Sequence, residues 1–302
     1  MVRIPSPAAL WSRSTRSARH DDAASDGVRL LTQADTAAVR ALVAQDPVTH
    51  AFVDSQLATT GIVASRSTAL YLGRFDEHER LVAACWVGSN VVPVCFDEES
   101  GAAFGRALLK QRRRFASVFG PAEAVRGIWS ELAHGRQRAF DIREHQPLMA
   151  MTAPPAASLR AHVVRKAWPH DYDRLLPACA AMFEEELGYS PLTQGEAQYR
   201  ARVDWLIRAG HALVETDHTG RILFKAELGV VTPSATQIQG VWMNPDVRGL
   251  GLAASRMADV AALALELAPT VSLYVNDYNT RALATYERVG FQRIGEFATV
   301  LF

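Results

Sequence analysis

The run Val241-Trp242-Met243-Asn244-Pro245-Asp246-Val247-Arg248-Gly249-Leu250-Gly251-Leu252-Ala253-Ala254 constrains this chain more than any other. A β-like stretch ends at Met243, Pro245 stops the loop behind it, and Arg248-Gly249-Leu250-Gly251 opens a long alanine- and leucine-rich helix. Glycine takes backbone angles that other residues reach only at a cost, so this loop can turn several main-chain N–H groups toward one point. The helix N-terminus adds partial positive charge there, and Arg248 adds a full one. Such a loop suits a pyrophosphate. The plain alternative is an ordinary glycine loop before a helix. A dinucleotide site is a further reading, because Gly249 to Ala254 spells G-x-G-x-x-A. That motif needs a strand running straight into the first glycine, whereas here Asn244 to Arg248 intervene. It also needs several more βα units than the roughly fifty remaining residues can supply.

A length of 302 residues favours two domains. Apolar residues make up 49% and charged residues 21%, the balance of a globular protein able to build full cores. The net charge is zero, so no overall basic field draws nucleic acid or an anionic membrane. No apolar run reaches the roughly 18 residues of a membrane helix. Cys85, Cys95 and Cys179 form no C-x-x-C, which fits a reducing cytoplasm, and Cys85 and Cys95 read as small core residues. The histidines show no metal-binding spacing, so no metal site is expected. Lys110-Gln111-Arg112-Arg113-Arg114 reads as cations complementing a helix C-terminus rather than as a nucleic-acid patch. The oligomeric state stays open.

Residues 1–26, rich in Ser, Arg and Ala with no apolar period, read as a disordered tail. From Val28 the pattern gives a helix opened by Thr32–Asp35, a hairpin over Ala69–Phe75 and Leu81–Val87, and a strand over Val91–Phe96. A helix over Gly101–Arg114, a strand over Phe115–Phe119, a helix over Pro121–Leu132 and extended chain to Met151 follow. The linker is 152–160, centred on Pro154-Pro155. A second series then repeats the order: strand Val163–Arg165, helices Asp171–Leu187 and Glu196–Ala209, hairpin His211–Glu215 and Arg221–Val231, and strand Gln237–Met243. Helix Leu252–Leu267, strand Val271–Val275, helix Thr280–Val289 and a closing strand from Phe291 complete it. The domains expected are therefore 27–151 and 161–302, related by element order rather than residue identity. After its strand the first series carries Asp97-Glu98-Glu99, which would repel a pyrophosphate where the second carries Arg248 and two glycines.

Two motifs carry a family resemblance. The stretch Met243–Gly251 resembles motif A of the GNAT acetyltransferases, and Asn279-Thr280-Arg281-Ala282-Leu283-Ala284-Thr285-Tyr286-Glu287-Arg288-Val289-Gly290-Phe291 resembles their late N-x-x-A-x-x-x-Y-x-x-x-G-F motif. Their order and their separation within some 60 residues add weight to both. The resemblance implies an α/β (α+β) fold of two tandem GNAT-like units, each a mixed, largely antiparallel sheet flanked by helices, the first degenerate and the second active. The tandem arrangement is also similar to that of mycothiol synthases and Fem-type aminoacyl transferases.

By the same resemblance, acetyl-CoA enters a gap between the strands Gln237–Met243 and Val271–Val275. Backbone groups of Val241, Trp242 and Met243 meet the pantetheine arm, the loop Arg248, Gly249, Leu250, Gly251, Leu252 and Ala253 takes the pyrophosphate, and Asn279 contacts the arm. Tyr286 borders the cofactor and protonates the departing thiolate, while a primary amine on a small molecule or peptide attacks the thioester directly. Many relatives place a glutamate base on the strand before the loop, where this chain has Gln237 and Gln239. Glu227, on the neighbouring strand, is the candidate in its place, acting through water; a solvated strand-face carboxylate is the other reading. Glu184-Glu185-Glu186, at a helix end bordering the acceptor groove in such proteins, reads either as an attractor for a cationic amine or as a solvated helix end. A non-catalytic acyl-CoA sensor or scaffold is the alternative function.

Overall fold

The computed structural model describes residues 26–61, 69–111, 113–193 and 195–302. The tail expected over 1–26 lies outside the described residues except for Asp26, and so does Arg112 of the basic run. Two compact units are present, one of 26–148 with 295–302 and one of 149–294. Among the described residues no helix is long and apolar enough to cross a membrane.

The first unit contains β1 (Val28–Leu30), α1 (Thr36–Val43), α2 (Ala51–Thr60), β2 (Leu70–Phe75), β3 (Leu81–Val87), β4 (Asn90–Val94), α3 (Glu98–Lys110), β5 (Ser117–Pro121), α4 (Ala122–Leu132) and most of β6 (Asp141–Met151). Its sheet runs β1-β2-β3-β4-β5, antiparallel except for β4 beside β5. The near-continuous apolar run of β3 marks a strand buried on both faces. Ala83, Cys85 and Val87 join the core under α3 and α4, while Ala84 and Trp86 join the core under α1 and α2. Helix α2, unmarked by the sequence pattern, buries Ala51, Val53 and Leu57, the last two in that second core.

The second unit holds β7 (Arg165–Lys166), α5 (Tyr172–Leu187), α6 (Glu196–Arg208), β8 (Ala212–Thr216), β9 (Ile222–Val231), β10 (Thr236–Met243), α7 (Ala253–Leu265), β11 (Val271–Tyr274) and α8 (Thr280–Val289), and it begins β12 (Gln292–Leu301). Its strands run β11-β10-β9-β8-β7, antiparallel apart from β10 beside β11. Phe224, Ala226 and Leu228 of β9 pack toward α7 and α8 with Met257, Val260 and Ala261; Ala212 and Val214 of β8 pack toward α5 and α6 with Leu175, Cys179 and Leu206. All three cysteines are free and buried.

Among the boundaries that differ from the sequence pattern, such as α3 opening at Glu98 rather than Gly101, two have a plain physical reason. Val163 and Val164 were expected in a strand, but their N–H groups, with that of His162, bond to the fully buried Asp259 carboxylate of α7 instead. The chain before β7 is thereby fixed to its own unit, and β7 shortens to two residues. The closing strand was assigned to the second domain, yet Phe297–Leu301 pair antiparallel with Pro121–Ser117 of β5, and Ala298 and Val300 enter the first unit's core. That pairing satisfies an edge of β5 that would otherwise lie open.

Candidate active site

Strand β10 prepares the site with a kink. Gln239 pairs with Glu227 and Trp242 with Lys225, so Gly240 and Val241 together face Ala226 alone, a two-against-one bulge. Gly240 takes the required positive φ of 58°. The parallel pairing of β10 with β11 covers Thr236/Val271 and Gln237/Ser272 and then stops. Beyond those pairs the β11-facing edge of β10, Val241 and Met243 included, has no strand partner in this ladder. Val241 and Met243 rest against the core under α7, and Trp242 is buried on the α5/α6 side.

The loop follows. Asn244 caps a single turn over Pro245–Val247 by accepting from the Asp246 N–H at 3.1 Å. Gly249 and Gly251 then hold φ of 78° and 75°, and Leu250 between them is exposed. Helix α7 starts at Ala253 with no side-chain cap and no acidic residue in its first turn, so its leading N–H groups face the loop unpaired by side chains. Arg256, one turn in, is turned away and held by both oxygens of Glu215 at 2.8 and 2.9 Å. Arg248 lies along the end of β10. Its Nε donates to the Met243 carbonyl at 2.9 Å, its Nη2 reaches both oxygens of Glu185 at 2.8 Å, and Trp242 Nε1 donates to the same carboxylate at 3.1 Å.

Asn279 is the N-cap of α8, its side-chain oxygen accepting from the Ala282 N–H at 3.2 Å. One carboxamide oxygen is thus committed to the helix. Tyr286, two turns on, is 8% exposed and packs edge-on against Phe291. Burial pushes its phenol up to about 12, and among the described residues no group hydrogen-bonds its hydroxyl.

Glu227 is neither solvated nor free. It is 5% exposed and points under the bulge toward α5 and α6. Lys225 Nζ donates to one oxygen at 2.5 Å, Arg202 Nη2 to the other at 2.8 Å, and the Cys179 thiol lies 3.8 Å away. Burial pushes this carboxyl up, but the Lys225 and Arg202 cations outweigh it and hold the group below the usual range. Burial likewise pulls Lys225 down, but its acidic neighbours Cys179 and Glu227, the latter bonded to its Nζ, outweigh it and hold the group above the usual range. A Cβ on Gly240 would stand 3.0 Å from the Glu227 carboxyl carbon and 3.2 Å from Lys225 Nζ, so the pair supports the bulge from beneath. The sequence reading found Glu227 but missed Lys225 and Arg202; the one signal for Lys225 was a lysine inside an apolar strand run.

The first unit builds the corresponding stretch differently. Asp97 caps α3 by accepting from the Ser100 N–H at 2.7 Å, and Glu98 and Glu99 fill its first turn. Arg74 binds Glu99 and also donates to Ser100 at 2.9 Å. Helices α3 and α4 meet backbone to backbone: a Cβ on Gly101 would fall on the Ala124 carbonyl oxygen, and one on Gly127 on that of Glu98. The helix N-terminus is neutralised by its own chain.

Known proteins agree with this architecture. Residues 223–300 match the family described as FR47-like protein, and residues 70–175 match a domain of unknown function, DUF4081. The GCN5-related N-acetyltransferase of Sphaerobacter thermophilus superposes over 90% of this chain and 94% of its own, with a TM-score of 0.60 at 17% identity. A GNAT acetyltransferase of Colwellia psychrerythraea does so over 91% and 99%, with a TM-score of 0.53 at 13% identity. The chain therefore has the fold of the GNAT acetyltransferases over most of its length, and its C-terminal region is similar to the FR47-like family. Its curated relatives include a mycothiol acetyltransferase of Mycobacterium sp. (strain JLS), 25% identical over 90% of this chain and 87% of that protein. Another mycothiol acetyltransferase, from Cellulomonas flavigena, is 29% identical over 56% of this chain, which spans about half (48%) of that relative's length.

Proposed function

We propose that the second unit transfers an acetyl group from acetyl-CoA to a primary amine on a small molecule or peptide. The observation that carries this reading is the end of β10/β11 pairing beside a loop with two glycines at positive φ and a helix without a side-chain cap. Those features leave backbone donors without side-chain partners beside an open strand edge, which is what a thioester arm and its pyrophosphate need. N–H groups from Arg248 to Ala253 bind the phosphates, the bulge at Gly240–Val241 aligns the thioester, and the free amide N–H₂ of Asn279 meets the arm. The amine lone pair attacks the thioester carbonyl, the C–S bond breaks with its electron pair going to sulfur, Tyr286 donates a hydrogen bond to the departing thiolate, and the surplus proton on nitrogen passes to solvent, leaving the amide and coenzyme A. Its phenol is a weaker acid than a thiol, so it acts as a hydrogen-bond donor in the transition state more than as a full proton source.

Glu227, with both oxygens bound by cations, is a weak proton acceptor; its part is to hold the bulge, and the attacking amine arrives neutral. The test is thiol release from acetyl-CoA across an amine panel that begins with the acceptor of mycothiol acetyltransferases, followed by the mass of the product. The protein's own thiols are buried and add little background. Tight binding of one equivalent of acetyl-CoA with no release on any amine would replace this reading with a binding module.

A further inference from the structure

The last turns of α3 and α4, with the chain that leaves each, line a cavity of about 480 Å³ in the first unit. Sites for small organic molecules span about 300–1,000 Å³. The apolar wall is Leu108 of α3, Leu132 of α4, Phe115 and Phe302, the first three of them buried. Both phenylalanines are fixed in advance. The Gln137 carboxamide accepts from the Phe115 N–H at 3.0 Å and donates to the Phe115 carbonyl. Phe302 donates its N–H to the Ala116 carbonyl at 3.0 Å and sets its ring edge-on against Trp129. A wall that needs no ordering costs a ligand little affinity.

The remainder of the lining is cationic. Arg113, Arg114 and Arg136 stand in the wall, and among its described residues there is no carboxylate. Elsewhere in this unit arginines are answered: Arg29 by Asp35, Arg106 by Asp26 and Glu131, Arg126 by Glu123. Among the described residues neither Arg114 nor Arg136 has a hydrogen bond or an ion pair. Lying beyond two helix C-termini favours their charge, yet leaves their N–H donors free. The helix ends do not depend on them, since the Gln111 N–H covers the Leu108 carbonyl and the Gly135 N–H that of Leu132. Arg113 is partly buried, and burial pulls its guanidinium below its ordinary range, so a negative group beside it would be stabilising.

We propose that this cavity is a binding site for a small organic carboxylate with an apolar body, separate from the acetyl-transfer site of the second unit. The body lies against Leu108, Phe115, Leu132 and Phe302, and the guanidinium groups take the carboxylate through paired N–H···O bonds, which a planar guanidinium matches well. A neutral apolar ligand would leave the arginines unanswered, and a bare anion would leave the apolar wall in water.

The test titrates the full chain by calorimetry with 4-phenylbutyrate, its neutral analogue 4-phenylbutanamide, and inorganic phosphate, at about 0.15 M salt so that loose surface charge is screened. The wild type binds phenylbutyrate saturably and at least about tenfold tighter than the amide, the least expected of hydrogen bonds to a charged group. Phosphate at equal concentration does not displace it. The double variant Arg114→Gln/Arg136→Gln, altered at two exposed positions, loses the preference for the anion and keeps its affinity for the amide. Leu109→Trp, which fills the cavity from its exposed edge, weakens both ligands. Melting curves confirm folding, and Arg136→Gln alone shifts the preference in the same direction. Equal affinity for acid and amide overturns the proposal, as does a wild type that binds no phenylbutyrate. A preference that survives the arginine substitutions puts the anion elsewhere, and displacement by phosphate reduces the site to a patch for any anion; either result overturns it too. Acetyl-CoA takes no part in these measurements, so their failure leaves the acetyl-transfer reading standing.

Discussion

Replacing Gly251 by aspartate tests the phosphate loop where its geometry is most demanding. The residue sits at φ 75°, and a Cβ there would meet nothing within 4 Å, so the change is costly for the backbone rather than for packing. A left-handed conformation costs an L-residue about 1–2 kcal/mol, and aspartate is at the low end of that range. In an exposed loop the free protein relaxes that strain by moving φ to negative values, which turns the N–H away, and ligand binding must restore it. The new carboxylate would also face two phosphate charges, each worth about 1 kcal/mol at some 4 Å in water. The sum of about 3 kcal/mol corresponds to roughly a hundredfold loss of acetyl-CoA affinity. Gly251→Asn separates the contributions, since it tolerates the same φ without charge and should lose less than tenfold. Calorimetry on the full chain measures both, with melting curves to confirm folding. An aspartate variant of native stability that binds acetyl-CoA within threefold of wild type would refute the assignment of this loop.

Tyr286→Phe should lower kcat at least tenfold with acetyl-CoA affinity nearly unchanged, the mark of an interaction made mainly in the transition state; equal kcat values under chemistry-limited conditions would leave Tyr286 a packing role. Because its folded pKa, about 12, lies above its reference value near 10, Tyr286 contributes stability that is full below pH 10 and lost as pH rises toward 12, and the Phe variant should lack that component of alkaline melting. Glu227→Gln strands the buried Lys225 ammonium beside Arg202, and urea denaturation should show a loss of about 3–5 kcal/mol; a change under 1 kcal/mol would mean the pair relaxes into solvent. Gly127→Ala places a methyl on the Glu98 carbonyl oxygen and should cost about 1–3 kcal/mol by the same assay, and a neutral result would show that α3 and α4 separate easily.

The elements that repeat a local pattern were legible in the sequence. The helix Thr280–Val289 falls at its expected limits because an Asn cap and a terminal glycine both mark them. The glycine loop could be read because only particular residue types accept its φ angles. Local signals did not extend to partners: Arg248 meets Glu185 across 63 positions, and Lys225 and Glu227 are buried because α5 and α6 supply Cys179 and Arg202 above them. A strand's sequence shows that it will pair but not with whom, which is why the pairing of β12 with β5 was not foreseen. Helix α2 was missed because its apolar residues Ala51, Phe52, Val53 and Leu57 form no clean stripe between two weakly marked loops.

The strand that closes the first unit also sets a clock on its synthesis. β5 emerges from the ribosome roughly 180 residues before Phe297–Leu301, a lag on the order of ten to thirty-five seconds at ~5–20 residues per second. Throughout that interval the nascent first unit carries an unzipped edge beside an apolar core, the kind of surface that chaperones capture and that neighbouring chains on a polysome can invade. The second unit, whose strands lie close together in the chain, has most of its sheet available before the first can be sealed. Assembly thus proceeds against the order of translation, and the half made first is the last to finish.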